Sequence, residues 1–162
     1  MVVFDTDVLS MFAKIDAVDL LKDLFGEKAI ITPKIKDEIS VPLEYGYTFP
    51  LKVISTIKSV PLSNEVLEEY ARLQKSLSLG KGELEAIAYC KVEKCIFVTN
   101  DIKAREFAKS EGVSVISLQA VLRALWKAEI KNKEEVRQIL ERIKAADNLA
   151  VSREIEKKIF KE

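Results

Sequence analysis

Short apolar runs that stop abruptly at a polar or acidic residue constrain this chain most. Val2-Val3-Phe4 stops at Asp5, Ala29-Ile30-Ile31 at Thr32-Pro33, and Ile96-Phe97-Val98 at Thr99-Asn100-Asp101. None of these runs alternates. A strand that is apolar on every residue is buried on both faces, which is the mark of a parallel sheet between helices. Helical stripes lie between the runs. Val18, Leu20, Leu21, Leu24 and Phe25 form one, with Gly26 placed to cap it. Ile35 and Ile39 sit i,i+4 on another, which Thr32 caps and Pro33 opens. The alternation of strand and helix predicts an α/β fold of three layers, a central parallel sheet flanked by helices.

Further along, the segment from Leu43 to Pro50 has no period and reads as a loop, and Val53 to Val60 reads as a strand. Ser63-Asn64-Glu65 opens a helix whose apolar positions are Val66, Tyr70, Leu73 and Leu77. Gly80-Lys81-Gly82 breaks the chain before a helix from Glu83 to about Val92. The run at Ile96 is expected at the centre of the sheet. A helix from Ile102 to Ser110, ended by Gly112, leads to a short edge strand from Val113 to Ile116. Three amphipathic helices close the chain: Leu118, Val121, Leu122, Leu125 and Trp126; Val136, Ile139, Leu140 and Ile143; and Ile155, Ile159 and Phe160. No repeat, low-complexity tract or linker divides the sequence. A single domain over residues 1–162 is expected, with a helical C-terminal extension from about residue 130.

Composition narrows the chemistry. The chain is 48% hydrophobic and 32% charged, which suits a globular protein. It has no histidine, which removes His-bound zinc and Ser-His or Cys-His catalysis. Acid–base work must then fall to carboxylates, lysine, tyrosine or metal-bound water. Lys+Arg and Asp+Glu are equal at 26, so total charge says nothing for or against nucleic acid, and a local basic rim would be hidden in the sum. Cys90 and Cys95 read as reduced, buried thiols. No apolar run reaches membrane-spanning length and no signal peptide precedes Asp5, so a cytoplasmic protein without membrane contact is expected.

In a parallel sheet the C-terminal ends of the strands meet at one edge, where ligands bind. Asp5 and Asp101 stand where buried strands end. Glu38 follows the second strand by about one helical turn, and Glu83 opens a helix. At roughly 100° per residue, Glu38 lies beside the stripe of Ile35 and Ile39 while Asp37 points away. By the same geometry Glu83 flanks the face of Leu84, Ile87 and Ala88, and Glu85 falls on the opposite side if the helix has begun. Asp7 is placed to join a site or to cap the next helix. Taken singly, each of these acids reads best as a cap or a solvated charge. Taken together they need a reason, because buried carboxylates cost several kcal/mol each without a compensating cation. Hard divalent cations are the fitting partners, which points to a metal-dependent enzyme acting on phosphate esters.

At these residues the chain resembles a PIN domain. The resemblance rests on Phe4-Asp5-Thr6-Asp7-Val8-Leu9, Thr32-Pro33 with Glu38, Gly82-Glu83-Leu84-Glu85-Ala86-Ile87-Ala88, and Val98-Thr99-Asn100-Asp101. The run from Ala104 through Gly112-Val113 and on to Ala128 is similar to a prokaryotic PIN subfamily. The resemblance implies a ribonuclease dependent on Mg²⁺ or Mn²⁺, with RNA as substrate, and toxins of VapC type with their antitoxins are among such proteins. It implies Asp5, Glu38, Glu83 and Asp101 as catalytic residues. Asp5, Glu83 and Asp101 would hold metal, with Glu85 and Asp7 as further candidates. Thr99 matches the threonine that often precedes the last acid and would contact the substrate. Apart from the resemblance, Lys81, Lys103 and Arg105 flank the acids in sequence and read equally as contacts to the substrate backbone or as solvated surface charge. The long helical tail after Glu129 departs from the pattern. With Trp126, the broad apolar face after Ser117 leads us to expect a homodimer or an antitoxin-binding groove. Two other readings compete. Asp5-Thr6-Asp7 also resembles the opening of haloacid-dehalogenase-type phosphatases, with Asp5 as nucleophile and Asp7 as acid–base, but Glu38 and Glu83 would then have no task. A non-catalytic domain that binds RNA or protein is the other.

Overall fold

The computed structural model describes residues 1–75 and 78–162. The expected apolar position Leu77 lies outside the described residues.

Five strands form one parallel sheet: β1 (Val2–Phe4), β2 (Ala29–Ile31), β3 (Lys58–Ser59), β4 (Ile96–Val98) and β5 (Val115–Ile116), in the order β3-β2-β1-β4-β5. Val3 is paired with Ile30 on one side and Phe97 on the other. Val3, Phe4, Ile30, Ile31, Phe97 and Val98 are wholly buried, as runs without alternation require. Each such side chain contributes about 1.5–3 kcal/mol of apolar burial. The chain lays β2 and β3 on one side of β1, then crosses back to lay β4 and β5 on the other. The direction of winding therefore reverses between β1 and β4, where a parallel sheet opens a crevice. β1 takes the middle position, and β4 beside it is the expected interior strand, paired on both sides.

Helices surround the sheet in three-layer fashion. α1 (Thr6–Lys14) follows β1 at once, and was not evident from the sequence. Val8, Leu9, Met11, Phe12 and Ala13 are its buried residues, and Asp5, not Asp7, is its N-cap. α2 (Val18–Phe25) precedes β2, and α3 (Pro33–Ser40) follows it. The expected loop at 43–50 partly overlaps a tight 3₁₀ turn at Val41–Tyr45. The strand expected over Val53 to Val60 is instead α4 (Pro50–Thr56) followed by the two residues of β3. Val53-Ile54-Ser55-Thr56-Ile57 favours strand by propensity. Pro50 opens a helix there, and packing against α1, α2 and α3 decides the outcome.

α5 (Asn64–Leu73) and α6 (Lys81–Glu93) pack against each other, and α6 also lies against β1, β4 and α3. α6 is buried on all sides from Leu84 to Cys90, so it has no polar face. α7 (Ile102–Ser110) leads to β5, which is shorter than the strand expected from Val113. Val113 instead turns its N–H back to the Ala108 carbonyl at 2.9 Å, closing the helix end.

The tail folds back on the body. α8 (Leu118–Lys127) buries Leu118, Val121, Leu122 and Leu125. α9 (Lys133–Asp147) packs on α8 and α1, and α10 (Arg153–Phe160) covers α8. Trp126 is half-buried, and its Nε1 donates to the Ile159 carbonyl at 2.7 Å. The apolar face of α8 is thus covered by the chain's own helices and does not stand free as an association surface. Among the described residues no helix is long and apolar enough to cross a membrane.

Candidate active site

Asp5 and Asp101 follow the two strands that flank the reversal. The Asp5 N–H donates to the Val98 carbonyl at 2.9 Å, which extends the β1–β4 ladder by one step and brings the two strand ends together. Asp5 is 3% exposed. Its Oδ1 accepts from the Thr6 N–H at 2.7 Å, and its Oδ2 from the Thr99 hydroxyl at 2.7 Å. The same hydroxyl accepts from the Asp101 N–H at 3.2 Å. Asp101 caps α7, accepting from the Ala104 N–H at 2.9 Å. The sequence reading placed Thr99 at the substrate. The structure buries it completely, and its hydroxyl serves Asp5 and the Asp101 backbone.

Glu38 comes to the same edge from α3. Its Oε2 accepts from the Thr6 hydroxyl at 2.7 Å, and its Oε1 from the Gly82 N–H at 3.2 Å. A Cβ at residue 82 would lie 2.2 Å from Glu38 Oε1, so this approach requires glycine. Glu83 stands half-buried in the first turn of α6, where its Oε1 accepts from the Gly80 N–H at 3.2 Å. The N-termini of α1 and α6 thus both aim backbone N–H groups at carboxylates, a setting that favours negative charge.

Glu85 was expected on the solvent side of α6. It is 2% exposed, and its Oε1 accepts from the Lys34 N–H at 2.8 Å at the start of α3. The helical-face argument failed because α6 is buried all round. α3 and α6 therefore exchange carboxylates: Glu38 of α3 takes an N–H at the start of α6, and Glu85 of α6 takes one at the start of α3. Glu85 is thus turned toward the start of α3.

The electrostatics bind the remaining acids into one group. Burial pushes Asp5 from 3.8 up to about 7, and the charges of Glu83 and Asp7 add to this, against the hydrogen bonds from Thr99 and Thr6. Asp7 is raised by burial and then by Asp147, Asp101 and Glu38, with Lys14 opposing. Glu83 is raised by burial, opposed by the Gly80 N–H, with Asp101, Asp7 and Glu38 adding. So Asp5, Asp7, Glu38, Glu83 and Asp101 share one field. None of the five forms an ion pair among the described residues. Lys81 and Lys103 are exposed and Arg105 half-buried, likewise without an ion pair. Sequence reasoning missed three contributors. The Thr6 hydroxyl and Gly82 lay within quoted motifs. Asp147 lies at the end of α9 and is ion-paired to Lys14 at 2.7 Å, and no sequence signal leads to it.

The donor set is all oxygen, without histidine or cysteine nearby, and this is the chemistry of a hard divalent cation. Unpaired, mutually repelling carboxylates fit such an ion as their missing counter-charge. Among the described residues, no group of three or more acidic side chains is closed up as for a metal ion.

Fold and site together define an α/β protein with a carboxylate cluster at the switch point of a five-stranded parallel sheet. A family model described as a PIN domain matches residues 1–162, and the chain belongs to that family. No curated protein matches it. PIN domains are in general nucleases, so the family supports a nuclease-type function. The phosphatase reading has no such support and still leaves Glu38 and Glu83 without a task.

Proposed function

We propose that this protein is a metal-dependent endoribonuclease that hydrolyses RNA phosphodiester bonds. The observation that carries the reading is the gathering of Asp5, Asp7, Glu38, Glu83 and Asp101 into one field at the β1–β4 crevice, with no ion pair to any of them among the described residues. Asp5, Glu83 and Asp101 would hold Mg²⁺ or Mn²⁺, with Asp7 at the rim. When bound, the cation activates water and offsets charge on the phosphate. The chain's own residues do the rest. Thr99 donates to Asp5 Oδ2 and so fixes the direction of that carboxylate. Thr6 and Gly82 hold Glu38 across the crevice. Lys81, Lys103 and Arg105 flank the acids and contact the RNA backbone. Glu85 serves to lock α3 to α6. A toxin with an antitoxin partner is the narrower form of this reading.

The purified protein should cut single-stranded RNA in Mg²⁺ or Mn²⁺ and stop in EDTA. Full cutting in EDTA overturns the metal reading. The second reading is binding without turnover. It predicts RNA binding with no cleavage in either metal.

A further inference from the structure

A run of three aromatic residues, Tyr45, Tyr47 and Phe49, follows Glu38, and nothing in the hydrolytic site uses it. Tyr45 is 75% exposed and Tyr47 62% exposed, on either side of Gly46. Gly46 has φ +87°, a left-handed turn that a side chain resists. The loop is nonetheless pinned. The Gly46 N–H donates to the Leu43 carbonyl at 3.2 Å and the Tyr47 N–H to the Pro42 carbonyl at 3.1 Å. Tyr47 meets Phe49 edge-on, with ring centroids 6.2 Å apart. Two tyrosines held in water by a pinned turn contribute little to the core, so their use lies outside it.

A cation stands beside the rings. Lys14 is the only Lys or Arg on α1, and its Nζ lies 5.8 Å from the Phe49 ring centre. Asp147 holds it at 2.7 Å. An ammonium has three protons to donate, so Lys14 keeps donors for a second anion. α1 begins at the acid cluster with Thr6 and ends at Lys14, eight residues on, so the two ends are roughly 12 Å apart.

We infer that Tyr45, Tyr47 and Phe49, with Lys14, form a stacking subsite for single-stranded RNA running along α1 from the acid cluster. The inference rests on the ribonuclease reading and names where the strand lies. Rings accept any base by stacking, so the subsite confers grip without sequence choice. Lys14 takes a phosphate of the same strand. A second copy of the chain is the competing occupant. The charged group beside the rings and the continuity with the acid cluster favour RNA.

The test is fluorescence anisotropy with a labelled, unstructured oligoribonucleotide in Mg²⁺, in an Asp5→Asn background that does not cut. Tyr45→Ala and Tyr47→Ala should each weaken binding roughly tenfold, while Tyr47→Trp keeps the affinity. Lys14→Gln should lower the salt dependence by about one phosphate contact. Melting curves check that each variant is folded, and Tyr45→Gln alone, at the exposed tip, serves if the alanine variants are not. Folded alanine variants that bind RNA as tightly as the parent overturn the proposal and leave the ribonuclease reading standing. Unchanged RNA affinity with a change from dimer to monomer in light scattering also overturns it, in favour of a second copy. If the unsubstituted protein neither binds nor cuts RNA, the ribonuclease reading has failed and the subsite falls with it.

Discussion

The acid cluster and the network of Glu69, Arg72, Lys91 and Glu111 both gather charge, and they drive their carboxylates in opposite directions. In the network, Arg72 lies 2.7 Å from Glu69, and Lys91 lies 2.9 Å from both Glu69 and Glu111. Arg72 also contacts Glu111 directly. The bonds from Arg72 and then Lys91 hold Glu69 down at about 2, and Glu111 is lowered first by Lys91. In the cluster, Asp5 is pushed up to about 7 by burial and by like charges. The network ties α5, α6 and the end of α7 together. The cluster's carboxylates accept only from neutral backbone N–H and hydroxyl groups and have no cation partner among the described residues. Carboxylates that a fold needs for cohesion are paired, whereas carboxylates left to repel mark the place where an outside cation belongs.

The sharpest way to break this comparison is Asp5→Asn. RNA cleavage should fall about 100-fold or more, with the fold intact by circular dichroism. Retained cutting would remove Asp5 from the chemistry. Next comes Thr99→Val, which takes the hydroxyl from Asp5 Oδ2 and from the Asp101 N–H. Activity should drop roughly 10–100-fold, and Thr99→Ser should recover most of it. A loss that serine does not restore would point to packing rather than to the hydrogen bond.

Stability against pH separates the two regions without any assay of activity. Asp5 has a folded pKa above its ordinary 3.8, so the stability it contributes is full below that value and is lost as pH rises through about 7. Asp7 and Glu83, also raised, act in the same sense. Glu69 has a folded pKa below its ordinary 4.5, so its contribution is full above that value and is lost as pH falls through about 2. In EDTA the melting temperature should therefore be lower at about pH 8 than at about pH 5, and Asp5→Asn should flatten that limb alone. Metal should restore the loss. An upper limb that Asp5→Asn leaves untouched would show that the cluster carries no such strain.

The smallest effect is expected from Glu69→Gln at neutral pH. Arg72 and Lys91 are partly exposed and keep Glu111, so the cost should be about 1 kcal/mol or less, roughly 2–4 °C in melting temperature. It should shrink further in about 1 M salt. A larger loss that ignores salt would mean that Glu69 acts by packing.

The fold was legible where a residue's surroundings follow from its own segment. Three apolar runs that do not alternate and are too short for buried helices read as buried strands, and their parallel pairing follows from the helices between them. Ser63 announces a helix start by its hydrogen bond from the Val66 N–H, and Pro33 by its fixed backbone angle, since the Thr32 side chain makes no capping bond. Val53 to Val60 misled because its β-branched residues favour a strand, and only the helices packed around it outweigh that preference. Leu118, Val121, Leu122 and Leu125 read as a free apolar face because nothing local says that α10 returns 35 residues later to cover it, as the bond from Arg123 to the Lys158 carbonyl does. The acids divide in the same way. Asp5 and Asp101 could be picked from strand ends. The contrast between Glu83 and Glu85 could not, since α6 has no exposed face for a periodicity argument to use.

By itself, then, the sequence determined the layering, the parallel sheet and the edge at which acids would collect, because strand burial and helix capping are settled within a few residues. The tertiary structure alone decided which acids share a field. It turned Glu85 to the α3 amides, set Glu38 against a glycine that leaves room for it, and brought Asp147 from the tail to Lys14 beside Asp7. Those outcomes depend on distances between segments far apart in the chain, and Coulomb interaction and desolvation are set by those distances and not by order along the sequence.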